Sequence, residues 1–262
     1  MCLIAVAHRV SETFPLVIAA NRDEFYERPA LPAAPWNEDA NVVGGRDLRA
    51  GGSWLAVAAG GRFAAVTNIR GGEWRPSPWR CAPVPLPASG ERVVPKAPGE
   101  GRHSHESPSR GLLVSRFVLS DAGVVDFANG ITRAEYAGFH LILGDGTTIA
   151  HVTNANDAPP SIVEPGSIFA VSNGQPGEDW PKVELARAAM RSAIGHPETL
   201  LDFLTTRRGG PIEQEVFVAV PERGYGTRSS TVIVADKNGA VDFIERAAPS
   251  GAEVRWRLPS RS

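Results

Sequence analysis

Cys2-Leu3-Ile4-Ala5-Val6-Ala7 places a thiol directly ahead of a short apolar run. A second apolar run, Leu16-Val17-Ile18-Ala19-Ala20, follows after a polar turn around Ser11-Glu12-Thr13. Two continuous apolar runs of this length, separated by a turn, predict a hairpin whose strands are buried on both faces. We therefore expect Cys2 to stand at the start of a buried strand.

The same cysteine is a candidate nucleophile. If Met1 is removed, Cys2 carries both a thiol and a free α-amine. Because a free amine and a thiol ordinarily titrate within about one pH unit of each other, the amine can accept the thiol proton near neutral pH. The alternative is a small apolar residue that opens an edge strand, and the dipeptide alone favours this plainer explanation.

Composition limits the possible classes of protein. The chain has 262 residues, of which 42% are hydrophobic and 21% charged, and its formal net charge is −2. This content can bury a sizeable core, and we expect a single domain over residues 1–262. The charge gives no electrostatic argument for a nucleic-acid partner. Without a disulfide framework, a signal segment or an apolar run of about 20 residues, a cytoplasmic protein is expected.

The order of elements predicts the fold class. Consecutive hairpins indicate antiparallel sheet, and helices between them must cover its faces, so we predict an α+β layered fold. Strands are predicted at 53–59, 62–68, 139–144, 147–152, 168–172, 231–235, 240–245 and 255–258. Helices are predicted at 111–119, 132–137, 180–193 and 197–206.

Residues 75–108 differ from the rest of the chain in their many prolines. Proline neither continues a helix nor donates to a central strand, so we predict a long, flexible loop here. His103 and His105 lie in this segment without a cysteine or carboxylate at ligand spacing. We therefore expect no metal site, and no role for Cys81.

Polar side chains flank several of the predicted strands. They include Asp23, Asn68, Asn173 and Arg228. An N-terminal nucleophile needs a carboxylate to orient its amine or thiol, amide donors for the oxyanion, and a cation to hold the thiolate or an anionic substrate. These four residues supply those types and, with Cys2, form a candidate catalytic set. Ion pairing, turn formation and loop pinning are the ordinary alternatives for the same residues.

Short motifs in one order along the chain extend this argument. They are Met1-Cys2, Asn21-Arg22-Asp23-Glu24, Gly51-Gly52-Ser53-Trp54, Thr67-Asn68, Ser109-Arg110-Gly111, Ser172-Asn173 and Gly224-Tyr225-Gly226-Thr227-Arg228. Together they resemble the NRDE-motif family, also called the transport and Golgi organisation protein 2 family. The resemblance spans nearly the whole chain and excludes residues 75–108, where no family pattern occurs.

The resemblance implies a four-layer αββα sandwich of the N-terminal-nucleophile hydrolase type, with two antiparallel sheets. The family is also distantly similar to the choloylglycine hydrolase and penicillin V acylase group, whose members are amidases with an N-terminal cysteine. The residues whose places match that group's catalytic set are Cys2, Asp23, Asn68, Asn173 and Arg228. The residues that the resemblance places in the substrate cleft are Asn21, Arg22, Trp54 and Tyr225.

Two functions from different classes remain open. The first is hydrolysis of a linear amide bond by Cys2 after removal of Met1. The second is a non-catalytic binding or trafficking protein that holds haem or a lipid such as acyl-CoA in the same cleft, which the family's links to secretion and Golgi organisation imply. We favour the hydrolase, because a role in lining a pocket does not explain why a nucleophile occurs together with every residue type that would assist it. A small-molecule or lipid-like ligand is expected, with no resident cofactor.

Overall fold

The computed structural model describes residues 2–70 and 107–260, which form two antiparallel sheets and four α-helices. The strands are β1 Leu3–His8, β2 Leu16–Phe25, β3 Ala30–Pro35, β4 Val42–Asp47, β5 Leu55–Ala58, β6 Arg62–Asn68, β7 Phe139–Asp145, β8 Ile149–Thr153, β9 Ser161–Ile162, β10 Ser167–Val171, β11 Ala219–Val220, β12 Tyr225–Ala235, β13 Val241–Ala247 and β14 Glu253–Leu258. The helices are α1 Gly111–Val118, α2 Val124–Asn129, α3 Pro181–Ala193 and α4 Pro197–Thr205.

The first sheet has the strand order β10-β1-β2-β12-β13-β14, with β11 beside the start of β12. The second sheet has the order β3-β4-β5-β6-β7-β8-β9. In the first sheet, Asn21 of β2 lies opposite Leu3 on one side and opposite Ser230 on the other. The strand that carries residues 21–24 is therefore central in its sheet, with neighbours on both sides.

Three apolar clusters separate the four layers. Side chains such as Ile4 and Val57 pack between the two sheets. Leu3 points to the opposite face of β1, where α3 and α4 cover the sheet, and it lies in one cluster with Met190 of α3. Phe117 lies in the third cluster, where α1 and α2 cover the outer face of the second sheet. Strands covered on both faces are typically continuous apolar runs, and the expected αββα sandwich is confirmed.

The first hairpin is also confirmed, but β2 does not end at Ala20. It continues to Phe25, so residues 21–24 lie inside a central strand and not beyond its end. Their burial follows from β12, which begins at Tyr225 and pairs with β2 along this whole length. Arg228 likewise lies within β12, whereas the sequence pattern places it before the strand.

Sequence patterns do not predict β3, β4, β9 or α2. Strand β3 contains two prolines and β4 two glycines, residue types that are depleted in strands. The helix predicted at 132–137 is reduced to one turn at Arg133–Glu135. Most of the loop predicted at 75–108 lies outside the described residues, so that loop stays a prediction. No described helix has the length and apolar character needed to cross a bilayer.

A close backbone contact fixes the loop before β5 against the start of α1. Gly52 has a φ of +76°, and a Cβ at this position would lie 2.3 Å from the carbonyl carbon of Gly111. Next to it, the Ser53 amide donates to the Gly111 carbonyl at 3.1 Å. The contact therefore sets the position of Arg110 relative to Trp54.

We expect Gly52→Ala to lower the free energy of unfolding by about 2–4 kcal/mol, because it adds a backbone clash to the cost of a left-handed φ. Gly166 is a matched control, since its φ is +81° and no atom lies within 4 Å of its Cβ position. Gly166→Ala should cost only about 1 kcal/mol. Urea denaturation measures both, and equal losses would contradict the close approach.

Candidate functional site

Cys2 lies directly before β1, at the edge where β10 ends. Its carbonyl accepts a hydrogen bond from the Ser172 hydroxyl at 2.7 Å, and its Sγ lies 3.8 Å from the main-chain oxygen of Asp23. The thiol is half-buried. Beside it, between the sheets, is a cavity of about 10 Å³ that Arg22 and Trp54 help to line. This volume holds about one water molecule, so a larger ligand must reach Cys2 from another side.

Asp23 is buried in β2 and is held by its neighbours. Its Oδ1 accepts a hydrogen bond from Thr227 Oγ1 at 2.7 Å, and that hydroxyl in turn accepts from the Val218 amide at 2.9 Å. The Asp23 carbonyl accepts from the Tyr225 hydroxyl at 3.2 Å. Its Oδ2 lies 3.9 Å from Lys182 Nζ. The carboxylate is therefore fixed in place and faces a cation.

Lys182 is a site residue that sequence reasoning missed. It is the second residue of α3 and has no exposed surface. Burial lowers the pKa of Lys182, while Asp23 and Cys2 act in the opposite direction. The first turn of a helix also disfavours a cation, so this position is doubly costly without Asp23. The available signal is spacing, since Lys182 precedes buried Ala186 by one helical turn.

Asn173 links the two sheets. Its Nδ2 donates to Thr67 Oγ1 at 2.8 Å and to the Asn68 carbonyl at 2.5 Å. Its own carbonyl accepts from the Arg70 amide at 2.9 Å. The Asn68 side chain is exposed, and this residue joins the link through its main chain. For Asn173 to stabilise an oxyanion, its side-chain amide would first have to give up its hydrogen bond to Thr67 or to Asn68.

Arg228 is placed differently from the expectation that it steers the thiol or a substrate. The register of β12 shifts at residues 227–229, and the Arg228 guanidinium bonds to main-chain oxygens of the turn after β2. Its Nη1 donates to the carbonyls of Phe25, Tyr26 and Arg28 at 2.9, 3.0 and 3.2 Å. Among the described residues, none of its hydrogen bonds reaches Cys2. These contacts agree with the alternative explanation, in which Arg228 holds a loop in place by bonding to its main-chain oxygens.

Asn21 also differs from its predicted role in substrate binding. Its Nδ2 donates to the carbonyls of Leu204 and Val216 at 2.9 and 2.8 Å. Because side chains alternate along β2, Asn21 shares the outer face of the sheet with Ala19. Its amide therefore ties α4 and the segment around Val216 to β2.

Arg22 points to the inner face of the first sheet, where it contacts Trp54 and Asp47. Its guanidinium lies 4.2 Å from the centroid of the Trp54 ring and 3.9 Å from an Asp47 carboxylate oxygen. Burial lowers the pKa of Arg22, and Glu24, Cys2 and Asp47 partly offset this. The structure thus brings Arg22 and Trp54 together beside the inter-sheet cavity.

Two further arginines near Cys2 were not selected from the sequence. Arg70 donates through Nη2 to the Tyr225 hydroxyl at 3.1 Å, and Arg110 donates through Nη1 to the Gly138 carbonyl at 3.0 Å. Burial lowers the pKa of each, and the interaction with Cys2 acts in the opposite direction. Both border the proline-rich stretch, although Arg110 lies within one of the family motifs.

A histidine pair supports the loop that follows Asn173. His140 Nε2 lies 2.9 Å from the Gly174 carbonyl, and His140 Nδ1 lies 3.0 Å from His151 Nε2. Because a carbonyl only accepts, His140 donates to Gly174 and accepts from His151. Burial lowers the pKa of His140, and it lowers that of His151 to about 4. In residues 2–70 and 107–260, no three potential ligands are grouped for a metal ion.

We expect Lys182→Met to lower the free energy of unfolding by about 3 kcal/mol, because it leaves the Asp23 carboxylate buried without this cation. The exposed Lys237→Met is the matched control and should change stability by less than about 0.5 kcal/mol. In the double variant Asp23→Asn/Lys182→Met, the loss should be smaller than the sum of the single losses. Urea denaturation tests this, and strictly additive losses would argue against the pair.

Stability should also fall with acid through His151. The unfolded residue has a pKa near 6.5 and the folded one about 4, so the unfolded chain binds the proton first. The free energy of unfolding should therefore fall by roughly 3 kcal/mol as the pH drops through this window. His151→Gln should flatten that part of the profile, whereas the exposed His196→Gln should retain it. Urea denaturation at several pH values distinguishes the two variants.

One solved structure similar to this chain is the "Caenorhabditis elegans N-acylethanolamine-hydrolyzing acid amidase (NAAA) ortholog". The two chains share 11% sequence identity, and their superposition has a TM-score of 0.49. The match covers 89% of this chain and 92% of the other.

Curated relatives resemble the chain over most of its length. The "Transport and Golgi organization 2 homolog" of Mus musculus is 26% identical, over 93% of this chain and 90% of the mouse protein. The Homo sapiens homolog is 27% identical, over 89% and 87%, and the Drosophila melanogaster protein is 22% identical, over 88% and 86%. A family model described as "Transport and Golgi organisation 2" matches residues 1–250. As the motifs predict, the chain belongs to the Transport and Golgi organisation 2 family.

Proposed function

We propose that this protein hydrolyses a linear amide bond, with Cys2 as the nucleophile once Met1 has been removed. The observation that carries the proposal is the contact between the Cys2 thiol and the main-chain oxygen of Asp23, a residue whose carboxylate is held by Thr227 and Lys182. N-terminal-nucleophile chemistry requires a nucleophile, a carboxylate to orient its amine and positive groups for the oxyanion, and Cys2, Asp23 and the buried cations supply these three types.

In this reaction the Cys2 amine takes the proton of its own thiol. The thiolate then attacks the amide carbonyl carbon, and the resulting tetrahedral intermediate expels the amine, which leaves with that proton. Water attacks the thioester that remains on Cys2 and releases a carboxylic acid together with the free thiol. Asp23 would orient the Cys2 amine throughout.

Negative charge on the tetrahedral intermediate needs nearby positive groups. Arg22, Arg70 and Lys182 each interact electrostatically with Cys2. Their charges are already in place and partly shielded from water, which strengthens their effect on an oxyanion. Asn173 would contribute only by exchanging its hydrogen bond to Thr67 or Asn68 for one to the oxyanion.

The second candidate is a non-catalytic protein that binds or carries haem or a lipid such as acyl-CoA. Two observations favour it. The amide donors of Asn173 are already engaged, and the curated relatives are named for transport and Golgi organisation. In this case the cations around Cys2 would contact carboxylate or phosphate groups of the ligand.

Intact mass and acylation separate the two candidates. We expect purified protein without Met1 and, with a fluorogenic acyl-amide, a transient acyl adduct on Cys2. Cys2→Ala should lose both the adduct and the fluorescence burst, whereas Cys81→Ala should retain them. Protein that keeps Met1 throughout, or equal bursts from both variants, would exclude Cys2 as the nucleophile and leave the binding role.

A further inference from the structure

Arg70 and Arg110 are two half-buried arginines with unused hydrogen-bonding capacity. A guanidinium has five N–H donors. Within the described part of the chain, Arg70 uses one of them on Tyr225 and Arg110 uses one on Gly138. Neither arginine forms an ion pair with a carboxylate of those residues.

Other arginines near the site have an ion pair or several main-chain acceptors among the described residues, which makes these two distinct. Arg28 pairs with Asp47 at 2.8 Å and with Glu24 at 3.7 Å. Arg22 contacts Asp47 as well, and Arg228 bonds to three main-chain carbonyls. Of these arginines, Arg70 and Arg110 are the ones with neither an ion pair to a described carboxylate nor several described main-chain acceptors.

The described carboxylates around Cys2 form their ion pairs with other cations. Asp23 faces Lys182, while Asp47 and Glu24 face Arg28. Burying a cation is costly. Burial lowers the pKa of both arginines, and Glu24 and Cys2, with Asp23 in the case of Arg70, offset only part of this cost. An anion from outside the chain would offset it.

The placement of Arg70 connects such an anion to the nucleophile. Its guanidinium lies 5.4 Å from the centroid of the Tyr225 ring and donates to the Tyr225 hydroxyl. That hydroxyl donates to the Asp23 carbonyl, and the same carbonyl oxygen lies 3.8 Å from the Cys2 Sγ. A group bound by Arg70 would therefore be positioned through two hydrogen bonds relative to Cys2.

We propose that Arg70 and Arg110 bind a carboxylate or phosphate group of the molecule whose carbonyl is presented to Cys2. Guanidinium groups are well suited to such oxyanions because they can donate two parallel hydrogen bonds. The proposed substrate is thus an anionic amide, in which the acid group lies a short distance from the bond that is cleaved. The carbonyl part of this inference rests on the proposed function, whereas anion binding does not.

Two alkylating reagents of nearly the same size test the site. Iodoacetate is an anion and iodoacetamide is neutral, and both react with a thiolate. In a Cys81→Ser background, where Cys2 is the remaining thiol, we expect the ratio of the iodoacetate to the iodoacetamide rate to exceed that of free cysteine by about tenfold. Arg70→Gln and Arg110→Gln should each lower this ratio about threefold or more, and added salt should lower it too. The exposed Arg191→Gln is the matched control and should leave it unchanged.

A second measurement keeps the inference independent of Cys2 chemistry. Inorganic phosphate should raise the melting temperature of the Cys2→Ala protein, and Arg70→Gln/Arg110→Gln in the same background should abolish the shift. If Cys2 reacts with neither reagent but phosphate still stabilises, the proposed function fails and the anion site stands. If Cys2 reacts without charge preference and phosphate has no effect, the anion site is overturned and the nucleophile stands.

Discussion

The buried pair of Asp23 and Lys182 is the constraint on which the site depends. Asp23 lies in a central strand of the first sheet, and Lys182 begins the helix that covers the outer face of that sheet. Each charge would be strongly unfavourable in this position without the other. The pair therefore ties α3 to the outer face of β2, at the residue whose main-chain oxygen contacts the Cys2 thiol.

A second set of contacts closes the sandwich at the same edge. Asn173 follows β10 in the first sheet and bonds to Thr67 and Asn68 of β6 in the second sheet. His140 of β7 holds the next residue, Gly174. The two sheets are therefore joined by hydrogen bonds at the edge where Cys2 lies. Motif residues such as Asn173 and Thr67 therefore have a structural role in joining the two sheets.

The apolar parts of the fold could be predicted from sequence because their periodicity is local. The pairing of β1 with β2 and the extent of α3 follow from runs and spacings that any reader of the sequence can find. The extension of β2 through residues 21–24 could not be predicted in this way. Polar residues are stable in a central strand only when distant partners satisfy them, and those partners include Thr227 and Lys182.

The same distinction between local and distant contacts applies to the residues of the candidate site. In the structure Cys2, Arg22 and Asp23 lie at one end of the first hairpin. The role of Arg228 could not be read from its type, because a register shift in β12 decides which oxygens it meets. Arg70 and Arg110 were missed for another reason. Their neighbours in sequence are polar and proline-rich, and only the fold shows that both lie near the thiol.

The electrostatics of the cleft follow from the Asp23–Lys182 pair. If Lys182 were absent, Asp23 would be the natural counter-charge for the nearest arginine, and the cleft would hold less uncompensated positive charge. Lys182 pairs with Asp23 from the outer layer, while Cys2, Glu24 and Asp23 all favour the charged form of Arg70. By taking up part of the Asp23 charge, Lys182 would strengthen the attraction of the proposed site for an anion. The same charge serves a hydrolase, by stabilising an oxyanion, and a carrier, by holding an acidic ligand.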